Sequence, residues 1–236
     1  MKLLPTVILA LALIVSACLI MEGLTGLRTA DRFVTVKGVA EREVPADLAL
    51  WPLRFIATGN TLVEAQQAAN ASREAIMAFL KLQAIDTDRV ELQRLHVTDT
   101  QANPYQNNTG NPRYVIHQTL MVRSGNIDRI QQAARAVSDL VDSGVVLSAD
   151  YGPSGPTYLF NKLNEIKPAM IAEATAAARE AAQQFAQDAD TRLGPLRRAN
   201  QGVFQILPRD QAPGVQEGQQ PVKTVRVVST VEYYLD

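Results

Sequence analysis

Cysteine is almost absent from this chain: the single Cys18 lies in an apolar N-terminal run, and the remainder carries no thiol. Disulfides, zinc–thiolate centres and cysteine nucleophiles are thereby excluded from the body of the protein. Histidine is nearly as scarce, with only His96 and His117. Two imidazoles fall short of the three or four protein ligands that zinc sites use. Neither sign of charge predominates: the net charge is -1, so the basic footprint required of a nucleic-acid partner is missing. No phosphate-binding loop or dinucleotide fingerprint is present. Ser154, in Gly152-Pro153-Ser154-Gly155-Pro156, lacks the Gly-x-Ser-x-Gly spacing of a nucleophile elbow and reads as a turn.

One long apolar run exists. Leu3 to Met21 carries no charge over nineteen residues, follows Met1-Lys2, and gives way to a polar stretch from Glu22 to Arg32. At about 1.5 Å per residue, a helix of that length nearly crosses a hydrocarbon core. It is apolar all round, unlike a helix that packs one stripe on a core. Three readings follow: an uncleaved membrane anchor, a secretory signal cut after small residues such as Val15-Ser16-Ala17, or a lipoprotein signal with Cys18 in a lipobox-like string. Length favours the anchor, because Leu19, Ile20 and Met21 continue the run past Cys18. The expected organisation is a signal or anchor over 1–22, a linker over 23–32 and one domain over 33–236. The expected location is the periplasm, tethered to the inner membrane.

The domain alternates strand and helix patterns. Phe33 to Val39 alternates with period two, and Leu48 to Thr58 follows after Val44-Pro45-Ala46-Asp47. The Trp51-Pro52 step predicts an edge or a bulge, since proline has no N–H for the ladder. Thr61-Leu62-Val63-Glu64 is a capping box, opening a helix to about Gln83 with Leu62, Ala65, Ala69, Ile76, Phe79 and Leu80 inward. Val90–Thr100 and Tyr114–Arg123 read as strands. Asn126 caps a second helix with Ile127, Ile130, Ala134, Val137 and Val141 inward, stopped by Gly144 as a C′ glycine. Val145–Tyr151 is a further strand. The third helix places Leu163, Ile166, Met170, Ala174, Ala177, Ala181 and Phe185 on its buried stripe, with Pro168 marking a kink or first turn and Leu193-Gly194-Pro195 ending it. Gln201–Leu207 and Val222–Leu235 close the chain. The order ββαββαβαββ, preceded by an apolar helix, gives an α+β fold with three helices on mainly antiparallel sheet.

Two polar segments, 101–113 and 208–221, are longer than connection requires and rich in Gln, Asn, Pro and Gly. They are expected to be mobile or ordered by a partner. His96 and His117 fall on consecutive strands that a hairpin centred near Gln106 would set opposite each other; a polar cross-strand pair is favoured over a metal site. Asp86 and Asp88, near Arg89, read as loop charges. Asn107-Asn108-Thr109 matches a glycosylation sequon by composition alone. Tyr233-Tyr234 and Tyr151/Tyr158 read as strand packing.

Val34-Thr35-Val36-Lys37-Gly38 followed by Val44-Pro45-Ala46-Asp47 resembles the strand–glycine–strand start of the SIMPL family of bacterial secreted and periplasmic proteins. Ala46 separates a Pro and an Asp that are usually adjacent there. Glu64-Ala65 to Asn70 resembles that family's first helix, Tyr105 the tyrosine of its polar loop, and Tyr114 to Val122 the strand before its second helix. The alanine ladder ending at Leu193-Gly194 and the strand from Val225-Arg226-Val227-Val228 to Tyr233-Tyr234-Leu235 complete the likeness. The resemblance implies an export signal, an α+β domain, homo-oligomers that are ring-like or channel-like in some members, and a link to envelope stress. It supplies no active site, metal or cofactor. The expected function is therefore a non-enzymatic exported envelope protein that self-assembles, as a scaffold or stress-protective assembly; the alternative is a periplasmic binding module for a small ligand or partner protein.

Overall fold

The computed structural model describes Leu13, Ile14, Ser16, Ala17, Met21 and residues 32–102, 112–148 and 155–236. Most of the apolar leader, Cys18, Tyr105, the Asn107-Asn108-Thr109 sequon, Tyr151 and Ser154 lie outside them. Among the described residues nine strands run β1 (Phe33–Pro45), β2 (Leu48–Gly59), β3 (Val90–Asp99), β4 (Tyr114–Ser124), β5 (Val146–Leu147), β6 (Thr157–Leu159), β7 (Leu193–Gln201), β8 (Gln205–Pro208) and β9 (Val222–Leu235). The helices are α1 (Leu62–Leu82), α2 (Ile127–Arg135), α3 (Ser138–Asp142) and α4 (Leu163–Asp188). One sheet has the order β1-β9-β7, with β8 also on β9; the other has β3-β4-β2-β5, with β6 also on β2. The paired registers are antiparallel, and the class is α+β.

The chain divides into two compact units. One takes the described residues through Glu41 together with Lys167–Gln205 and Arg226–Asp236. The other takes Arg42–Ile166 and Ile206–Val225.

In the second unit β2 is the organising strand. Ala49, Trp51, Leu53 and Phe55 alternate inward against α1 residues Ile76, Phe79 and Leu80. The capping box forms as the sequence predicts: the Glu64 N–H donates to Thr61 Oγ1 at 3.2 Å, and the Thr61 N–H donates back to Glu64 Oε2 at 3.2 Å. Leu62, expected inside, is exposed. Pro52 does not lie on an edge strand, because β2 is internal. It sits between the residues that pair with β6 (Leu48–Leu50) and those that pair with β5 (Phe55–Ile56), where β4 is the one neighbour among the described residues. A missing N–H costs little in that gap.

Asp47 explains the Pro45-Ala46-Asp47 string. Its carboxylate accepts the backbone N–H of Asn161 at 2.9 Å and of Lys162 at 2.8 Å, just ahead of α4. The expected second helix is two helices, α2 and α3. Ala136 adopts φ -92°, ψ 14°, which interrupts the ladder. Ile130, Ala133 and Leu140 are the fully buried residues, rather than Ala134 and Val141. Gly144 takes φ +85°, the left-handed conformation predicted for it.

In the first unit, α4 packs on β1 and β9 through Ala178 and Ala182, against Val36, Val231 and Tyr233. The buried stripe is Met170, Ala174, Ala178, Ala182 and Ala186. The expected stripe is right to Ala174 and then slips by one residue; Phe185 is 58% exposed. Gly38 sets the register: a Cβ built there would lie 1.8 Å from the Ala174 carbonyl oxygen and 2.5 Å from the Ala178 nitrogen. Pro168 is inside the helix, not in its first turn, and lies next to the division between the units. Leu193-Gly194-Pro195, expected to end the helix, instead opens β7.

Candidate functional site

His96 and His117 are direct cross-strand partners, with ring centroids 6.3 Å apart and planes tilted by 43°. The hairpin register predicts that opposition. The cross-strand rows show what else shares their face. His117 pairs with Ile56 on its other side. Two residues along, Thr119 is opposite Arg54 on β2 and Arg94 on β3. Side chains two apart on a strand share a face, so Arg54, Arg94, Thr119 and both histidines emerge from the side of the sheet away from α1. Ser148, whose N–H donates to the Arg54 carbonyl at 2.9 Å, completes the rim. These residues line a groove of about 320 Å³. Sequence patterning pointed to the histidines but not to the arginines, whose placement depends on the pairing of three strands.

The groove is poorly suited to a cation. Two guanidinium groups flank the imidazoles, and among the described residues no three His, Cys, Asp or Glu side chains gather at one point. Asp86 and Asp88 stay in the α1–β3 loop, where Asp86 caps the Asp88 N–H at 3.0 Å and meets Arg89 at 3.8 Å. Tyr158 and Tyr233 are buried strand residues; burial pushes the Tyr158 hydroxyl pKa upward.

The second feature is β3 itself. It bonds to β4 along one side and, among the described residues, to no strand along the other. A bulge between Leu92 and Arg94 puts Val90, Leu92, Leu95 and Val97 on one face and Glu91, Arg94 and His96 on the other. Leu92, Leu95 and Val97 are 48%, 53% and 42% exposed. Beside Leu95 on β4, Gln118 is buried and its Oε1 has no hydrogen-bond partner. The loop after β3 is clamped at its base: Asp99 meets the Arg113 guanidinium at 3.0 Å, which holds the carboxyl below its usual value, and the Thr100 N–H donates to the Arg113 carbonyl at 2.8 Å.

The other polar loop, 208–221, carries bonds of its own. The Gln220 side chain accepts the Asp210 N–H at 3.0 Å and donates to the Asp210 carbonyl at 3.1 Å. The Lys223 ammonium, wholly buried, meets Glu217 Oε1 at 2.7 Å and also donates to the Glu217 carbonyl.

The arrangement is that of a two-sheet α+β protein whose larger sheet, among the described residues, has an unpaired edge strand beside a groove lined by Arg54, Arg94 and the two histidines. The chain belongs to the SIMPL family, described as a protein of unknown function (DUF541), whose model matches residues 34–233. A comparison with curated proteins finds no match. Among the described residues no helix is long and apolar enough to cross a membrane.

Proposed function

We propose that this chain is an exported, non-enzymatic envelope protein that self-assembles, and that the unpaired edge of β3 is where a second copy docks. The observation that carries the reading is the exposure of β3 on both faces. Edge strands are normally protected by charge, proline, shortness or a covering element. Among the described residues, three large apolar side chains on one face of this ten-residue strand are 42–53% exposed, with no strand or helix laid over them.

The strand is also complementary to itself. An antiparallel pair with its two-fold axis between Gln93 and Arg94 sets Leu92 opposite the partner's Leu95, Val90 opposite the partner's Val97, and Glu91 opposite the partner's His96. Apolar meets apolar on one face and carboxylate meets imidazole on the other, as cross-strand pairs prefer. Such an interface is isologous and closes by point symmetry. Full-length protein in mild detergent is expected to run as a discrete oligomer by light scattering. Leu92→Lys/Leu95→Lys is expected to shift it to monomer while its thermal melt stays within a few degrees. A wild-type monomer at high micromolar concentration, or an oligomer indifferent to both lysines, sinks the edge-docking reading.

Export rests on the uncharged run from Leu3 to Met21, which supports an anchor in the inner membrane with the domain in the periplasm. The protein is expected to stay with membranes through carbonate washing with its leader intact, and Cys18→Ser should change nothing. A mature N-terminus at or before Arg28 removes the anchor, and a diacylglyceryl mass on Cys18 replaces it with a lipoprotein.

A further inference from the structure

We infer that the cleft along β6, between α2 and the 208–221 loop, binds the C-terminal end of an extended peptide, with Arg135 pairing its carboxylate. This site is separate from the β3 edge and does not rest on the edge-docking reading. The cleft has residues 155–158 as its floor, the last turns of α2 as one wall and the single-turn helix Glu217–Gln219 as the other. It encloses about 540 Å³, within the range of ligand sites. All of its lining belongs to the second unit. The loop wall is fixed in place. The buried Lys223 ammonium holds Glu217 at 2.7 Å, and a Cβ built on Gly218 would lie 3.1 Å from the Thr157 methyl, so the turn packs directly on β6.

Three observations select the occupant. The first is charge. No carboxylate lines the cleft, and Arg135 is its one cation. Among the described residues Arg135 is exposed and makes no ion pair. Its charge reaches the Tyr158 hydroxyl, whose pKa burial pushes up and Arg135 draws partly back. A single guanidinium fork without a counter-charge matches a single carboxylate, which it binds through two parallel hydrogen bonds. The second is backbone. β6 pairs with β2 along one edge and, among the described residues, with no strand along the other. Alternate residues of an edge strand turn their N–H and C=O groups outward, and an extended peptide completes such an edge. The third is the remaining polar lining, which is neutral. The amides of Gln131, Gln216 and Gln219 carry no side-chain hydrogen bond among the described residues. Each amide both donates and accepts, as a peptide group does. The ligand class is therefore a peptide chain with a free carboxylate, either a short free peptide or the C-terminus of a protein.

The test is equilibrium dialysis of the full-length protein in mild detergent against N-acetyl-trialanine at constant ionic strength. Two control peptides separate the contributions. The C-terminal amide removes the charge; the form N-methylated at every amide keeps the carboxylate but cannot donate to a strand edge. Saturable retention of the free acid is expected, with affinity at least tenfold lower for each control. Arg135→Gln is expected to lower affinity for the free acid to the level of the amide, with the thermal melt unchanged within a few degrees because the side chain is exposed. Leu92→Lys/Leu95→Lys, which removes the β3 edge, should leave this binding unaltered. A carrier protein ending in the same three alanines distinguishes the sources: retention of both carrier and peptide assigns the site to protein C-termini, and retention of the peptide alone to short free peptides. No retention of the free acid, equal retention of acid and amide, indifference to N-methylation, or binding that Arg135→Gln leaves intact overturns the inference.

Discussion

Among the described glycines, Gly38→Ala is expected to be the most damaging single-methyl change. The added Cβ meets main-chain atoms of α4, the Ala174 carbonyl oxygen at 1.8 Å and the Ala178 nitrogen at 2.5 Å. Neither can turn aside as a side chain can, so α4 or β1 must move as a body. Overpacking in cores typically costs about 1–3 kcal/mol; a backbone obstacle on this scale places Gly38→Ala at about 3 kcal/mol or above. Moving α4 also opens the contacts of Ala178 and Ala182 with Val36, Val231 and Tyr233. Gly155→Ala is the control, because nothing lies within 4 Å of a Cβ there. Thermal or urea denaturation of the two variants gives the comparison. A Gly38→Ala protein as stable as Gly155→Ala would mean that β1 and α4 are not in this register.

Glu217→Ala is expected to cost more than Lys223→Met, although the two residues form one ion pair. Lys223 is 0% exposed and Glu217 is 34% exposed at their side chains. Removing the Glu217 carboxylate leaves a buried ammonium that keeps the residue-217 carbonyl as an acceptor. Breaking a buried pair from one side costs about 3–5 kcal/mol, and partial water access at Glu217 sets the figure near the lower end. Lys223→Met leaves a carboxylate that can turn to solvent, and its four-atom thioether chain fills much of the space, so about 1–2 kcal/mol is expected on the scale of volume-conserving core changes. The pair also ties the 208–221 loop to β9, so Glu217→Ala should admit protease within that loop before the domain unfolds. Equal losses for the two variants, or no new cleavage, would count against a buried ammonium as the anchor of the loop.

The loop shows why composition misleads. Its Gln, Pro and Gly content predicts a segment that is mobile or held by a partner. Yet Gln220 bonds both backbone groups of Asp210, and Lys223 binds Glu217. Those contacts span six to ten residues and depend on Lys223 sharing the buried face of β9 with Val225 and Val227, a place that lysine rarely takes. The α4 register fails for a different reason. Periodicity needs contrast between apolar and polar positions, and alanine occupies nearly every face of that helix. Phe185 then drew the stripe toward itself, whereas the close fit of Gly38 against Ala174 and Ala178 selects another line. The stripe steps by four, the spacing of an i±4 ridge inclined to the helix axis.

Local chemistry was enough elsewhere. Thr61 and Glu64 are three residues apart and form their capping box without help from the rest of the chain. The alternation of Val225, Val227, Val231 and Tyr233 determined which face of β9 is buried, because strand side chains alternate by geometry. The α+β class and the family likeness follow from such short-range patterns in sequence order. Three features were decided only by tertiary structure: the division into two units, the row that sets Arg54 and Arg94 either side of Thr119, and, among the described residues, the unpaired side of β3. Each depends on which strands become neighbours. That choice is made by packing among residues 25 to 114 positions apart, such as Arg94 with Thr119 or Asp47 with Asn161, and nothing within a window of sequence encodes it.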